Sequence, residues 1–380
     1  MKVLIIALRA PQLPLRNGYD VHLYYLLREL ARVHDVYVFI PQGGPSPPDI
    51  GVTWYTDDAE SSNRSSQVQG LASFARRQAA TMAPGLSKAV SQIRPDVAHV
   101  ASDRLAPLGR ELSDVPAVMG AIDAAHLNAK ADMRNAGPAL PRHLARYLVT
   151  RHLVRSLYPS YASVTVVSNE DATALRSLVP NLPLRVIPNG VDAAEYAPRP
   201  GVERAELQLL FTGALNYPPN VHAAELLAQE ILPRVRESVP DAHLRLVGRD
   251  PSDTVAALED HSGVEVIPNV PDMVPYLSEA TVFVCPMTSG TGIKNKLLEA
   301  MANELPCVTT PLALRGIEAT PGSDVLVGSD VDQLSAAAVR LLGHSELRIR
   351  LGKSGRALVE RDHSWQSVSE KYTDLYEEIT

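Results

Sequence analysis

Cysteine is scarce in this chain of 380 residues, which carries only Cys285 and Cys307. They lie 22 positions apart with no CxxC and no histidine cluster nearby. That argues against a disulfide framework or a zinc site, and suits a reducing cytoplasm. No stretch approaches the ~18 consecutive apolar residues of a membrane-crossing helix. The opening KVLIIALRAP is too short for a secretory signal with a cleavage site and reads as a first β-strand. No GxGxxG follows a first strand, which argues against a dinucleotide-dependent oxidoreductase; HExxH and a nucleophile elbow are also lacking. Gly352-Lys353-Ser354 imitates the end of a P-loop, but the glycine required five residues earlier is Leu347 and the context is helical.

What is present is 45 % hydrophobic and 21 % charged residues, with a net charge of −7. These values predict a soluble globular protein of two or three domains. The charge is uneven: residues 1–190 carry +5 and residues 191–380 carry −12. The basic excess concentrates in 130–155, where Lys130, Arg134, Arg142, Arg146, Arg151 and Arg155 face one acid, Asp132. Such an excess suits an anionic partner: a phosphate-bearing acceptor, a membrane surface or nucleic acid. On a helical wheel Arg142/Arg146 and Arg151/Arg155 fall on opposite sides, so a solvated helix is the plainer reading.

Short β-branched runs alternate with helical patterns throughout. In the first half the strands are KVLIIAL, DVYVFI, GVTWYT, DVAHVA, PAVMGAID, SVTVVS and LRVIPN, with a helical stretch 66–92 interrupted at Pro84-Gly85 and another at 140–157. Continuous apolar strands between helices imply a parallel sheet covered on both faces. PNGVDAAEYAPRPG (188–201) has no periodicity and reads as a hinge. Alternation then restarts with LQLLFTGAL, a helix near 220–238, HLRLVGR, a helix at 252–260, GVEVIPNV, a helix from Pro271, ATVFVCP, CVTT and DVLVGS. The expected architecture is α/β: two Rossmann-like domains with parallel sheets, 1–190 and 191–363, facing across a cleft where ligands bind. The helix at 364–380 spaces Trp365, Val368, Tyr372, Tyr376 and Ile379 three to four apart, giving it an apolar face to bury against the first domain.

The chemistry concentrates in SGTGIKNKLLEAMANELP (289–306). Strand, glycine-rich turn and helix start form an anion site, because unpaired N–H groups and the positive helix end point the same way. Lys294 and Lys296 fall on the predicted first turn, and Glu299 lies roughly 10 Å from the helix start at ~1.5 Å rise per residue. That is the span from a diphosphate to the far side of a ribose, although an ordinary amphipathic helix with solvated lysines fits the local pattern equally. Elsewhere, Gly18 opens a helix after the long first loop, where it either lets backbone approach a phosphate or simply makes a turn. His99, Asp123 and His126 lie near strand ends, where catalytic groups sit, though an isolated histidine there is more often structural. Asp330-Val331-Asp332 has the DxD form of metal-dependent sugar transferases, but it precedes a helix and reads better as an N-cap.

Taken together, VIPNGVD (186–192), LLFTGALNYPPNVHAAELL (209–227), GVEVIPNVPDMVPYLSEATVFVCPM (263–287) and SGTGIKNKLLEAMANELPCVTT (289–310) resemble family 4 of the glycosyltransferases, of GT-B fold. The resemblance covers nearly the whole chain. It implies a retaining, metal-independent hexosyltransferase that moves a sugar from a nucleoside-diphosphate donor to an acceptor hydroxyl, with no other cofactor. UDP is the first expected base, GDP or dTDP the next. By resemblance Glu299 binds the ribose, Ser289, Gly290, Thr291, Gly292 and Ile293 hold the diphosphate, and Lys294 or Lys296 carries the balancing charge. Gly213 and Gly248 fall in the matching nucleotide-binding segments, and Val270, Pro271, Asp272 and Met273 match the loop that reads the base. The family's first signature glutamate falls at Thr291, which leaves the donor sugar open. The implied acceptor is a glycan, a lipid-linked sugar or a small molecule, not nucleic acid. The implied location is cytoplasmic, with weak association at the inner membrane face. The rivals are a nucleotide-sugar 2-epimerase of the same fold, using Asp123 and His126, and an inactive nucleotide-sugar-binding subunit.

Overall fold

A computed structural model describes residues 1–15, 18–41, 48–56, 71–122, 124, 126–127, 129, 140–290 and 292–380. The chain forms two compact units, Met1–Ile187 with Val368–Thr380, and Pro188–Ser367. The first crossing falls at the start of the expected hinge; the second comes four residues after the expected 363/364 boundary, within the last helix.

The first unit is built on a seven-stranded sheet in the order β3-β2-β1-β4-β5-β6-β7. Its strands are β1 (Lys2–Ile6), β2 (Asp35–Ile40), β3 (Thr53–Thr56), β4 (Val97–Val100), β5 (Ala117–Ile122), β6 (Ser163–Val166) and β7 (Leu184–Val186). Every neighbouring pair is parallel. Val3, Leu4, Ile5 and Ile6 are all fully buried, so β1 is sealed on both faces, as its unbroken apolar run requires. Helices α1 (Gly18–Leu30), α2 (Leu71–Ile93), α3 (Leu140–Leu157) and α4 (Asn169–Leu178) pass between strands. The expected break at Pro84 does not occur: α2 runs through it. An interior proline costs about 3 kcal/mol, which burial of Met82, Leu86, Ala89 and Ile93 on the same helix offsets. A 3₁₀ stretch at Asp103–Leu112, which the periodicity does not announce, buries Leu105, Leu108 and Leu112.

The second unit carries a six-stranded parallel sheet in the order β10-β9-β8-β11-β12-β13. It comprises β8 (Gln208–Ala214), β9 (His243–Arg249), β10 (Val264–Pro268), β11 (Val282–Cys285), β12 (Cys307–Thr309) and β13 (Leu326–Val327). Its helices are α5 (Pro218–Leu226), α6 (Leu232–Ser238), α7 (Asp253–Ala256), α8 (Val274–Glu279), α9 (Asn295–Ala302), α10 (Val331–Gly343) and α11 (Ser345–Leu358). The single helix expected over 220–238 is split by a π turn at Leu227–Ile231 into α5 and α6. The chain ends in α12 (Trp365–Ile379), whose Val368, Tyr372, Leu375 and Tyr376 are buried within the first unit, the apolar face that the sequence spacing marks. In each sheet the order reverses beside its first strand, between β1 and β4 and between β8 and β11. Such a reversal leaves a crevice at the carboxyl ends of the strands.

Candidate functional site

The turn after β11 lies at the reversal point of the second sheet. Gly290 (φ 100°) and Gly292 (φ 68°) are both left-handed, a backbone that side chains other than glycine adopt only with strain. The helix that follows begins at Asn295, later than the lysine spacing suggests. The two lysines therefore part company. Lys294 precedes the helix, is 6 % exposed, and turns its Nζ back to donate to the Gly292 carbonyl at 2.8 Å, so it staples the turn. Lys296 lies on the first helical turn and reaches the end of β8. Its Nζ donates to Asn220 Oδ1 at 2.7 Å and sits 4.1 Å from the centre of the Phe211 ring. Asn220 is itself fixed, donating through Nδ2 to the Ala214 carbonyl at 2.8 Å.

This arrangement needs glycine at two neighbouring positions. A Cβ at Gly213 would stand 2.5 Å from Lys296 Nζ, and one at Gly248 would stand 1.7 Å from the Gly213 carbonyl oxygen. The groups that hold the ammonium, a ring face and an amide oxygen, are neutral. Its positive charge is thus presented beside the turn without being matched by a carboxylate bond. Burial lowers the Lys296 pKa to about 8, against the opposing pull of the Cys285 thiol and Glu299.

Glu299 lies one turn into α9, roughly 6 Å along the axis at ~1.5 Å per residue, which corrects the longer span that an earlier helix start would give. Burial raises its pKa to about 7; Lys296 works the other way, Glu195 adds to the rise, and a hydrogen bond from the Tyr196 side chain opposes it. Tyr196 is carried to Glu299 by the expected hinge segment. Its N–H donates to the Asp192 carbonyl at 3.0 Å, and its carbonyl accepts from Asn303 Nδ2 at 3.1 Å. At the start of α9 the amide oxygen of Asn295 is buried and has no hydrogen-bond partner. Phe211, Asn220, Asn295 and Tyr196 carry no motif of their own. Only the NG turn and unpatterned 188–201 stretch mark Tyr196 as lying in special backbone.

The remaining residues of the second unit divide. Ser289 is exposed and Ile293 half-buried beside the turn; Thr291 lies outside the described residues. Val270 and Met273 pack partly on the core, while Pro271 is exposed. Asp272 accepts from the Val274 N–H at 2.9 Å just before α8 and pairs with Arg199 at 2.7 Å. Asp330 caps α10, accepting from the Gln333 N–H at 2.8 Å, and Asp332 pairs with Arg234. Among the described residues no group of acids, histidines and cysteines is arranged to hold a metal.

The first unit separates its candidates more sharply. Gly18 starts α1 with open space where a Cβ would lie, so no close approach within the protein demands glycine there. The loop before it is held by other groups: the Leu8 N–H donates to Tyr19 Oη at 2.9 Å, and Arg9 pairs with buried Asp20 at 2.6 Å. His99 is 1 % exposed inside β4, with Nδ1 2.6 Å from Tyr376 Oη on α12. Burial lowers its pKa to about 3, and Nε2 lies where a Cβ on Gly120 would be 2.5 Å away. It packs beneath α12, enclosed by groups of its own unit. Asp123 lies outside the described residues. His126 is buried and lines a cavity of about 680 Å³ with Leu127, Tyr147, Arg151, Asn169 and Thr173.

Comparison with known proteins bears on both units. Residues 16–195 match the family model described as Glycosyltransferase Family 4, and residues 206–344 match Glycosyl transferases group 1. A GDP-mannose-dependent monoacylated alpha-(1-6)-phosphatidylinositol monomannoside mannosyltransferase of Corynebacterium glutamicum is 30 % identical over 156 residues, 38 % of this chain and 41 % of that one. A phosphatidyl-myo-inositol mannosyltransferase of Mycobacterium tuberculosis is 29 % identical over 206 residues, 51 % of this chain and 53 % of the relative. The chain thus spans about half the length of the curated relatives it matches. Among solved structures, sucrose-phosphate synthase from Thermosynechococcus elongatus superposes with a TM-score of 0.74 at 17 % identity, covering 99 % of this chain and 98 % of that one. Anabaena HepE in complex with UDP and glucose does so at 0.67 and 14 % identity, covering 100 % of each. These likenesses establish the GT-B fold. With that fold, and with glycosyltransferase family models matching residues 16–195 and 206–344, the chain belongs to family 4 of the glycosyltransferases.

Proposed function

We propose that this protein transfers a sugar from a nucleoside-diphosphate donor to an acceptor hydroxyl, with retention at the anomeric carbon. One observation carries the reading: an ammonium held by two neutral groups beside a left-handed glycine turn, with a partly buried carboxylate one helical turn away. In this reading the turn amides and Lys296 bind the diphosphate, and the Glu299 carboxylate accepts from the ribose hydroxyls. Lys294 acts at one remove by fixing the turn. Asn295, with its unpaired buried amide oxygen, offers an acceptor for a further donor hydroxyl.

The chemistry follows from where charge grows. The bond from the anomeric carbon to the diphosphate oxygen breaks, and its electron pair stays on the departing phosphate. Lys296 and the amides are set where that charge develops, the most effective kind of preorganised stabilisation. The acceptor oxygen attacks the same carbon from the same face, and its proton passes to the leaving phosphate oxygen. No protein general base and no metal enter this scheme. The donor base is a nucleotide of the UDP or GDP class: HepE is solved with UDP, and the C. glutamicum relative is named as GDP-mannose-dependent. For the acceptor, the cavity at His126, Tyr147 and Arg151 offers an aromatic wall and a guanidinium. That pairing suits a sugar or polyol bearing a phosphate, consistent with relatives named for phosphatidylinositol acceptors. A cytoplasmic protein with peripheral membrane contact fits such an acceptor, and among the described residues no helix is long and apolar enough to cross a membrane.

Calorimetric titration with UDP, GDP, dTDP and ADP tests the reading most directly. One base should bind at least about tenfold more tightly than the others, a difference of ~1.4 kcal/mol, without added divalent metal and with EDTA present. Binding of none of the four, or binding that survives loss of both Lys296 and Glu299, would sink it.

A further inference from the structure

We propose that Asn220 determines which phosphate ligands this site accepts: its neutral amide aims the Lys296 ammonium and leaves that charge for the ligand, so a nucleoside diphosphate is preferred over the monophosphate. This role rests on the proposed transferase reading. At the end of a strand, the free N–H groups of the next helix ordinarily attract anions. After β8 they are lacking. The first two residues of α5, Pro218 and Pro219, have no N–H. The next two amides are already in use, because Asn220 and Val221 donate to the Tyr217 carbonyl at 2.8 and 3.0 Å. The positive charge presented here comes instead from a side chain on α9. Among the described residues Asn220 is the only hydrogen-bond partner of that ammonium.

The amide has a single orientation. An ammonium can only donate, and a backbone carbonyl can only accept. With Lys296 Nζ at 2.7 Å on one side and the Ala214 carbonyl at 2.8 Å on the other, Oδ1 must face the lysine and Nδ2 the strand. Asn220 is 5 % exposed, so water competes little for either bond. A Cβ at Gly213 would stand 2.8 Å from Nδ2, and glycine there keeps the pair in place. The Phe211 ring, stacked on Phe283 at 6.5 Å between centres, attracts the ammonium but makes no directed bond. Direction comes from Asn220.

An aspartate at this position would have nearly the same shape. It too would accept from Lys296, but it would set a negative oxygen against the Ala214 carbonyl and cancel the ammonium charge. The amide keeps the geometry without the cancellation. A ligand then meets a full positive charge, which favours the ligand bearing more negative charge. The other titratable groups acting on Lys296 are the Cys285 thiol on β11, Glu299 on the same helix and Lys294 just before it.

The test is calorimetric titration of the wild type, Asn220→Asp and Asn220→Ala across the alkaline range. The ligands are the nucleoside diphosphate that binds best and the monophosphate of the same base. The wild type should prefer the diphosphate by at least about tenfold. Asn220→Asp should narrow that preference to about twofold and weaken diphosphate binding about tenfold or more. The alkaline fall in affinity separates aiming from packing. Asn220→Asp should move it to higher pH, because a carboxylate favours the charged lysine. Asn220→Ala should move it to lower pH, because burial then acts on a lysine without its acceptor. A residue that only packs would shift both variants alike or neither. Wild-type preference in a folded Asn220→Asp protein, or shifts of the same sign, overturns the proposal. Circular dichroism identifies a variant that fails to fold, and the sign of the Asn220→Ala shift then decides by itself. A wild type that binds no nucleotide sinks the transferase reading itself, whereas nucleotide binding with unaltered variants counts against Asn220 alone.

Discussion

Each unit of this protein buries titratable groups near the reversal point of its sheet, and the two clusters have opposite characters. In the first, His99 is sealed in β4 against Tyr376, with the tilted ring of Tyr372 alongside at 5.2 Å between ring centres. In the second, Lys296 and Glu299 are desolvated but only partly buried, and their pKa values converge on about 8 and about 7. The same burial effect dominates in both. What differs is whether the neighbours complete the group's bonding. His99 is answered by a tyrosine hydroxyl inside its own unit. Lys296 is held by groups that leave its charge unmatched, and Glu299 keeps solvent access. Shifted titration is therefore shared by a packing device and a candidate site, and only the second leaves something for a ligand to complete.

The largest expected effect is on turnover. Lys296→Ala should reduce kcat by about 10²–10³, the cost of removing one preorganised donor to developing charge, while melting temperature changes little. A variant with near-wild-type kcat would erase the distinction between the clusters. Glu299→Gln should act on affinity instead, weakening nucleotide binding about tenfold with a smaller change in kcat.

The proton linkage of the wild type refines this point. An anionic diphosphate favours charged Lys296, so affinity should fall as pH rises through about 8. Ribose hydroxyls favour the Glu299 carboxylate, so affinity should also fall as pH drops through about 7. Titration across this range should give a maximum between the two, with the alkaline limb lost in Lys296→Ala and the acid limb lost in Glu299→Gln.

The sealed cluster should show itself in stability alone. The folded His99 value lies near 3 against an ordinary 6.5, so its contribution is present above 6.5 and is lost as pH falls toward 3. At about pH 5 the loss is on the order of 2 kcal/mol. His99→Gln should lower stability by about 1 kcal/mol near neutrality, flatten that acid limb, and leave kcat and KM unchanged. A kcat loss in a folded His99→Gln protein would return this histidine to the site.

Much of the fold is legible in the residues alone. Apolar runs mark the strands, and the NG turn and prolines at 188–201 mark the hinge. The glycine turn declares itself by composition. What escapes is whatever depends on residues far apart in the chain. Lys296 is held by Asn220, 76 positions away, and Tyr196 reaches Glu299 from the hinge segment. Lys294 and Lys296 look alike in sequence, yet the late start of α9 turns one back on the loop and presents the other. Pro84 reads as a break because its local cost is visible and the burial that offsets it is not.

The sequence by itself determined the alternation of strands and helices, the two-unit plan, the glycine turn and the uneven charge, because these follow from local propensity and periodicity. Tertiary structure alone decided which charged groups are completed and which are left open. That depends on what packs against each of them, and no periodicity records it.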